Sequence, residues 1–168
     1  MSAINKNQAM LDYLIQCSDI RNSPLYFNLV NAKNNTIQIL TIAEDKALNR
    51  PYIDGSVLKK ITFNLIAFKS ISDLAIVKSF GTVGSNEFSN ENIDDVADVQ
   101  KLIDWIVDQE RSHNYPDFGS TCEVQSIDTT TDQPNFSGVD NSVTPPLAMY
   151  NIQIVVEYID TSNVIWNK

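Results

Sequence analysis

The sequence predicts an α+β fold: a mixed or antiparallel sheet of about four to five strands, a long helix packed on one face, and a short N-terminal helix. Three stretches carry that expectation. In residues 150–159, Tyr150, Ile152, Ile154, Val156 and Tyr158 alternate with Asn151, Gln153 and Glu157, the period-two pattern of a strand with one buried face. Residues 59–68 repeat the pattern, with Ile61, Phe63, Leu65 and Ala67 set against Lys60, Thr62 and Asn64. In residues 92–111, Ile93, Val96, Val99, Leu102, Ile103 and Ile106 recur at helical spacing and make a stripe able to cover a sheet face. The stretch 150–159 is the longest and most β-branched, so it is expected at the centre of the sheet.

The remaining elements follow in chain order. Residues 7–17 read as a short amphipathic helix, with Met10, Leu11, Leu14 and Ile15 on one side and Asp12 in an early turn. Residues 18–24 break it. A strand is expected at 25–30, where Leu25, Phe27 and Leu29 alternate, and Asn34-Asn35 tolerate the positive φ of a tight turn into a second strand at 36–42. That pair reads as a hairpin. Residues 44–56, with Pro51 and Asp54-Gly55, read as a loop or arm. Residues 70–80 fit either strand or helix, and 81–89 a loop. For the long helix, Asn92 is the expected cap, and Asp94 and Asp95 lie near the positive end of its dipole. Pro116 and Gly119 follow its end. Residues 121–127 suggest another strand, and 129–146, rich in Thr, Asp, Asn, Ser and Pro, a long loop of the kind that is functional or mobile. Val164, Ile165 and Trp166 form an apolar tip within an extension at 161–168.

A chain of 168 residues is expected to form one domain with a real core. No uninterrupted apolar run approaches the roughly 20 residues that span a bilayer. The polar start, residues 1–8, has no secretory pattern, so the expected compartment is a cytoplasm. Cys17 and Cys122, far apart and outside any metal-type pair, read as two buried thiols.

Charge is distributed unevenly. Residues 1–84 hold nine Lys/Arg and six Asp/Glu, a balance of +3, while 85–168 hold three and fifteen, a balance of −12. The total of −9 argues against duplex nucleic acid as a direct ligand, since phosphate binding relies on clustered Lys and Arg. The split is read either as an acidic solvated face or as a surface on which copies meet head to tail.

No enzyme constellation is present in the sequence. The one histidine, His113, sits just past a helix end, where it is expected to interact with the last carbonyls. The Gly81-Thr-Val-Gly84-Ser85 run lacks the lysine of a phosphate loop and reads as a turn. Asp94, Asp95, Asp98, Asp104 and Asp108 lack a His partner or an EF-hand loop and read as a solvated helix face; no metal or cofactor is expected. Trp105 reads as core packing at a helix flank. The residues alone therefore indicate an interaction domain.

The runs DVADVQKLIDWIVDQE (95–110), NYPDFG (114–119), FSGVD (136–140) and the strand at 150–158 together resemble a tailed-bacteriophage family of minor capsid proteins or tail terminators. The resemblance covers residues 90–160, about two fifths of the chain, and is most specific at IDWI (103–106) and the helix exit. The order of elements is similar to that of the lambda-type tail terminator. The resemblance implies a structural virion protein without catalytic residues, made in the host cytoplasm. It would form a homo-oligomer, a hexameric ring, that caps the head-proximal end of the tail tube, stops tube growth and joins the head connector. Its implied partners are the tail tube protein, the connector protein and, in a contractile tail, the sheath protein, with DNA only as passing cargo and no membrane. Candidate interface residues are Arg50 and Tyr52 in the arm, Asp104, Asp108 and Arg111 on the helix, Asp132, Phe136, Val139 and Asp140 in the long loop, and Trp166 near the end. Two alternatives stand beside it: a head-completion or connector adaptor of the same virion, and a small acidic host-directed inhibitor or enzyme.

Overall fold

A computed structural model describes residues 6–20, 24–27, 33–71, 91–162 and 164. Among them are two α-helices, α1 (Lys6–Leu14) and α2 (Glu91–Arg111), and a 3-10 turn at Ser18–Ile20. Six strands complete the set: β1 (Leu25–Phe27), β2 (Thr36–Pro51), β3 (Val57–Ser70), β4 (Cys122–Thr129), β5 (Asn135–Asp140) and β6 (Leu147–Asp160). The α+β class is as the sequence indicates, with a sheet one or two strands larger.

The sheet runs β1-β2-β3-β6-β4, and β5 also pairs with β6. β6 lies antiparallel to β3 along its whole length, from Val57↔Asp160 to Ser70↔Leu147. Its other flank is divided: β4 takes the C-terminal half, 154–160, and β5 the N-terminal half, 147–151. The apolar alternation of β3 and β6 puts Ile61, Phe63, Leu65, Ile152, Ile154, Val156 and Tyr158 in the core. Met10, Tyr13 and Leu14 of α1 and Val99, Leu102, Ile103 and Ile106 of α2 join the same cluster, so both helices cover one face of the sheet. On the opposite face, Lys60, Thr62, Asn64, Ile66, Asn151, Gln153 and Glu157 are half-buried. Lys60 pairs in register with Glu157 there.

The exit of α2 explains the NYPDFG run. The amides of His113 and Asn114 donate to the carbonyls of Glu110 and Gln109, at 3.1 and 3.0 Å, and His113 has φ 52°. This is a Schellman cap with a left-handed residue at its end. The expectation for His113 holds for its backbone only; the ring Nδ1 lies 3.1 Å from the Tyr115 hydroxyl. After the cap the chain turns back so that Phe118 meets Tyr158 edge-on, ring centroids 5.6 Å apart.

Several expectations require correction. β1 pairs with β2 in parallel, Leu25↔Ile37 to Phe27↔Ile39, so the two do not form a hairpin. The Asn34-Asn35 turn exists, with Asn35 at φ 56°, but it admits the chain to β2 beside Phe68 of β3, whose carbonyl accepts from the Asn35 amide at 2.9 Å. Residues 44–51 are strand, not loop: β2 continues to Pro51, opposite Val57. The 129–146 segment holds β5, a strand hidden by a bulge. Ile15 is exposed, because α1 ends at Leu14 and Tyr13 takes the buried place beside Met10 and Leu14. Asn92 lies inside α2, which begins at Glu91, and so is not its cap. Of the two cysteines, Cys17 is buried and Cys122 only half-buried. The expectations for residues 28–30, 72–80, 81–89 (the Gly81–Gly84 run included) and 165–166 lie outside the described residues. No helix among the described residues is long and apolar enough to cross a membrane.

Candidate interaction surfaces

Four regions on the described surface hold the residues of interest. The first is the arm, the distal part of β2 with its turn into β3, which is itself still paired with β6 from Val57↔Asp160 onward. Among the described residues β1 pairs with β2 at 37–39, and the register of β2 against β3 slips between Thr41 and Ala43 and again between Asp45 and Arg50. The arm is closed by an ordered tip. The Tyr52 amide donates to the Ser56 carbonyl at 2.8 Å, and the Gly55 amide to the Tyr52 carbonyl at 3.1 Å. Gly55 takes φ 86°, a value that a glycine tolerates without strain. Asp54 Oδ1 accepts from the Ser56 hydroxyl at 2.7 Å and its amide at 3.0 Å. These bonds hold the Asp54 carboxyl below its ordinary pKa. On this frame sit Tyr52, about half exposed, and Ile53, fully exposed. Turn tips usually carry Gly, Asn, Asp, Pro or Ser, so an ordered tip displaying Tyr-Ile is unusual.

The second region is the outer face of α2 with the loop between β4 and β5. Gln100 Nε2 donates to Asp104 Oδ1 and to the Asp132 carbonyl, both at 2.9 Å, tying the helix to the loop. Asp108 and Arg111 form an exposed ion pair at 3.3 Å. Glu110 faces inward and accepts the Ile127 amide at 2.8 Å, which fastens the end of α2 to β4.

The third is β5. Its ladder slips between Phe136 and Gly138, so Phe136 lies opposite Tyr150 and Val139 opposite Ala148. Without the bulge, residues three apart would point to opposite faces; the extra residue, Ser137, puts both on one. Gly138, at φ 144°, permits the slip. The result is an apolar patch at the edge of the sheet: Phe136 meets the Tyr150 ring at 5.9 Å, yet Phe136 and Val139 remain 55% and 37% exposed. Asp140 Oδ1 accepts from the Ser142 hydroxyl at 2.6 Å and amide at 2.9 Å, which lowers its pKa.

The fourth is a cavity of about 220 Å³ between the 3-10 turn, the start of β2, the end of β3 and α2, lined by Asp19, Thr36, Lys69, Asp98 and Leu102 among others. Lys69 is buried there, 3.3 Å from Asp98, whose other oxygen meets Lys101 at 2.8 Å. The Lys101 hydrogen bond, helped by Lys69, keeps the Asp98 carboxyl below its ordinary pKa against the effect of burial. The cluster is an ion-pair network closing a helix–sheet junction. Among the described residues no three of His, Cys, Asp and Glu come together to hold a metal ion.

The structure thus brings Asp104 and Asp132 together through Gln100, and Phe136 with Val139 through the bulge. Arg50 and Tyr52 stand apart, at the end of the sheet opposite to β5. Nothing is described of the Arg50 side chain, and Trp166 lies outside the described residues. Sequence reasoning missed Gln100, Glu110 and Ile53. The last had a readable signal, an isoleucine between tyrosine and Asp-Gly in a turn. No protein-family model and no curated protein matches the chain.

Proposed function

We propose that this chain is a structural, non-catalytic protein of a tailed-phage virion, of the tail-terminator type. Copies close into a ring on the head-proximal end of the tail tube, block further addition of tube protein and present a surface to the head connector. One observation carries the reading. The four stretches in which the sequence resembles that family, scattered over residues 95–158, pack as a single unit. α2 lies on β6 in the common core, the helix exit places Phe118 on Tyr158, and β5 places Phe136 on Tyr150. The resemblance therefore follows a contiguous piece of structure rather than isolated words of sequence.

The experiment is removal of the protein from its virion. Lysates made without it are expected to contain headless tails of irregular, excessive length under the electron microscope. Addition of the purified protein to polymerising tube protein should halt growth. Tails of normal, uniform length in its absence would overturn the reading.

A further inference from the structure

The alternation that buries Ile61, Phe63, Leu65 and Ala67 beneath the helices continues to Lys69, so β3 ends by placing an ammonium on the core face. Lys69 is only 9% exposed, and a lysine is seldom buried that far unless it is paired. Its pairing here is partial. A protonated lysine has three N–H donors and no acceptor. Lys69 Nζ gives one of them to Asp98 Oδ2 at 3.3 Å, beyond the roughly 2.7–2.9 Å of a good charge-assisted bond. Lys101 holds the other oxygen of Asp98 more closely, at 2.8 Å. Among the described residues no other acceptor meets Lys69. Two donors of a nearly buried cation are left over, and such donors are costly when nothing accepts them.

The space beside them is the cavity of about 220 Å³. Its apolar side is made by Ile37, Ala67, Val99 and Leu102, all of them buried. Asp19, on the 3-10 turn, adds an exposed carboxylate that lies in the field of Lys101 but in ion-pair contact with no described cation. The volume equals that of roughly seven waters at about 30 Å³ each, below the roughly 300–1,000 Å³ of pockets for drug-sized ligands. It suits an occupant of about ten heavy atoms or fewer. Four charges surround it, Lys69 and Lys101 against Asp19 and Asp98, and they cancel. A simple anion would use the spare donors of Lys69 but face two carboxylates. A simple cation would meet Asp19 and leave Lys69 unsatisfied. A molecule that carries both charges answers both.

We propose that this cavity binds a small zwitterion with an aliphatic body, an amino acid of valine or leucine size. Its carboxylate takes the two spare N–H donors of Lys69, its ammonium faces Asp19, and its side chain lies against Ile37, Val99 and Leu102. Occupancy fastens α2 to the adjoining ends of β2 and β3, so the ligand stabilises the fold. The site is independent of the ring reading, and the failure of either leaves the other standing.

The test uses the full chain and three probes with one isobutyl tail: L-leucine, 4-methylpentanoate, which lacks the ammonium, and 3-methylbutylamine, which lacks the carboxylate. Ligand-observed NMR titrations give the affinities, and thermal unfolding is followed alongside. Leucine should bind with a dissociation constant of about 1 mM or tighter and raise the unfolding midpoint with its concentration. Each single-charge probe should bind about tenfold or more weakly than leucine, the effect of losing one charge-assisted bond. Lys69→Met should abolish leucine binding. Because that change alters a nearly buried residue, Asp19→Asn at an exposed position serves as the second variant. It should weaken leucine by about tenfold or more without weakening 4-methylpentanoate. Absence of leucine binding to the wild type, equal binding of the three probes, or undiminished leucine binding by Asp19→Asn each overturns the proposal and makes the cavity a hydrated ion-pair pocket.

Discussion

Asp160, the last residue of β6, shows how one side chain can tie three segments. Its Oδ2 accepts Lys59 Nζ of β3 at 2.7 Å and its Oδ1 accepts the Ser162 amide at 2.9 Å, while its backbone lies in register with Cys122 of β4. Burial alone would raise its pKa, but the hydrogen bonds from Lys59 and Ser162 outweigh that and hold it at about 2, against 3.8 for an ordinary aspartate. A depressed folded-state pKa gives stability that is complete above the unfolded value and disappears as pH falls through the folded one. Asp160→Asn should therefore lower stability at neutral pH by about 2 kcal/mol. The gap from wild type should close between about pH 4 and pH 2. Denaturant titrations of both proteins at several pH values measure this directly; a gap that persists at the acid end would assign the effect to lost packing instead. Nothing in the sequence marked Asp160 out from other acidic residues, because its partner is 101 positions away.

At the scale of elements, packing between the two helices depends on aromatic contacts. The Tyr13 ring of α1 sits 5.0 Å from that of Trp105 on α2, and its hydroxyl donates to the Asn114 carbonyl at 2.9 Å. Burial raises the Tyr13 pKa, and the nearby Glu110 carboxylate raises it further, so the phenol stays protonated and able to donate. Trp105 is half-buried, so Trp105→Ala should cost about 2 kcal/mol, less than the roughly 3–5 kcal/mol of a fully buried ring. Thermal unfolding of the variant decides; an unchanged midpoint would show that the ring contributes nothing to stability. Legibility differed by element for physical reasons. β3, β6 and α2 have one wet and one dry face, which writes a period into the sequence. Distal β2 pairs with β3 through two register slips, and Pro51 with the Asp54-Gly55 pair supplied a turn signal at its end, so its ladder left no readable period in the sequence. β5 is six residues with a bulge in the middle, and the slip that unites Phe136 with Val139 also destroys its alternation. The direction of β1 was invisible for another reason: alternation is the same in parallel and antiparallel pairs, and the tight-turn signal at Asn34-Asn35 pointed to the wrong neighbour.

Across the whole molecule, the acidic second half is concentrated on surfaces that the core does not use. Asp104 and Asp108 are exposed, contacting Gln100 and Arg111, and exposed pairs of this kind contribute little to folding. The double change Asp104→Lys, Asp108→Lys should leave the unfolding midpoint within about 4 °C of wild type. It should also weaken association, because it reverses charge on a face tied through Gln100 to the loop that precedes β5. Sedimentation of the variant separates the outcomes: unaltered association would remove this face from the interface. The candidate surfaces were legible as regions, from apolar residues set in polar loops. Their grouping was not, since it arises from a bulge, a single glutamine and the length of a strand. That length has a further consequence. The strand that unites β3 with β4 and β5 is the last of the six to leave the ribosome. Until Leu147 and its successors emerge, the nascent chain holds β3 with one bare flank and two helices with no finished sheet to cover. Such a flank is open to pairing with any extended segment nearby until synthesis of β6 is complete.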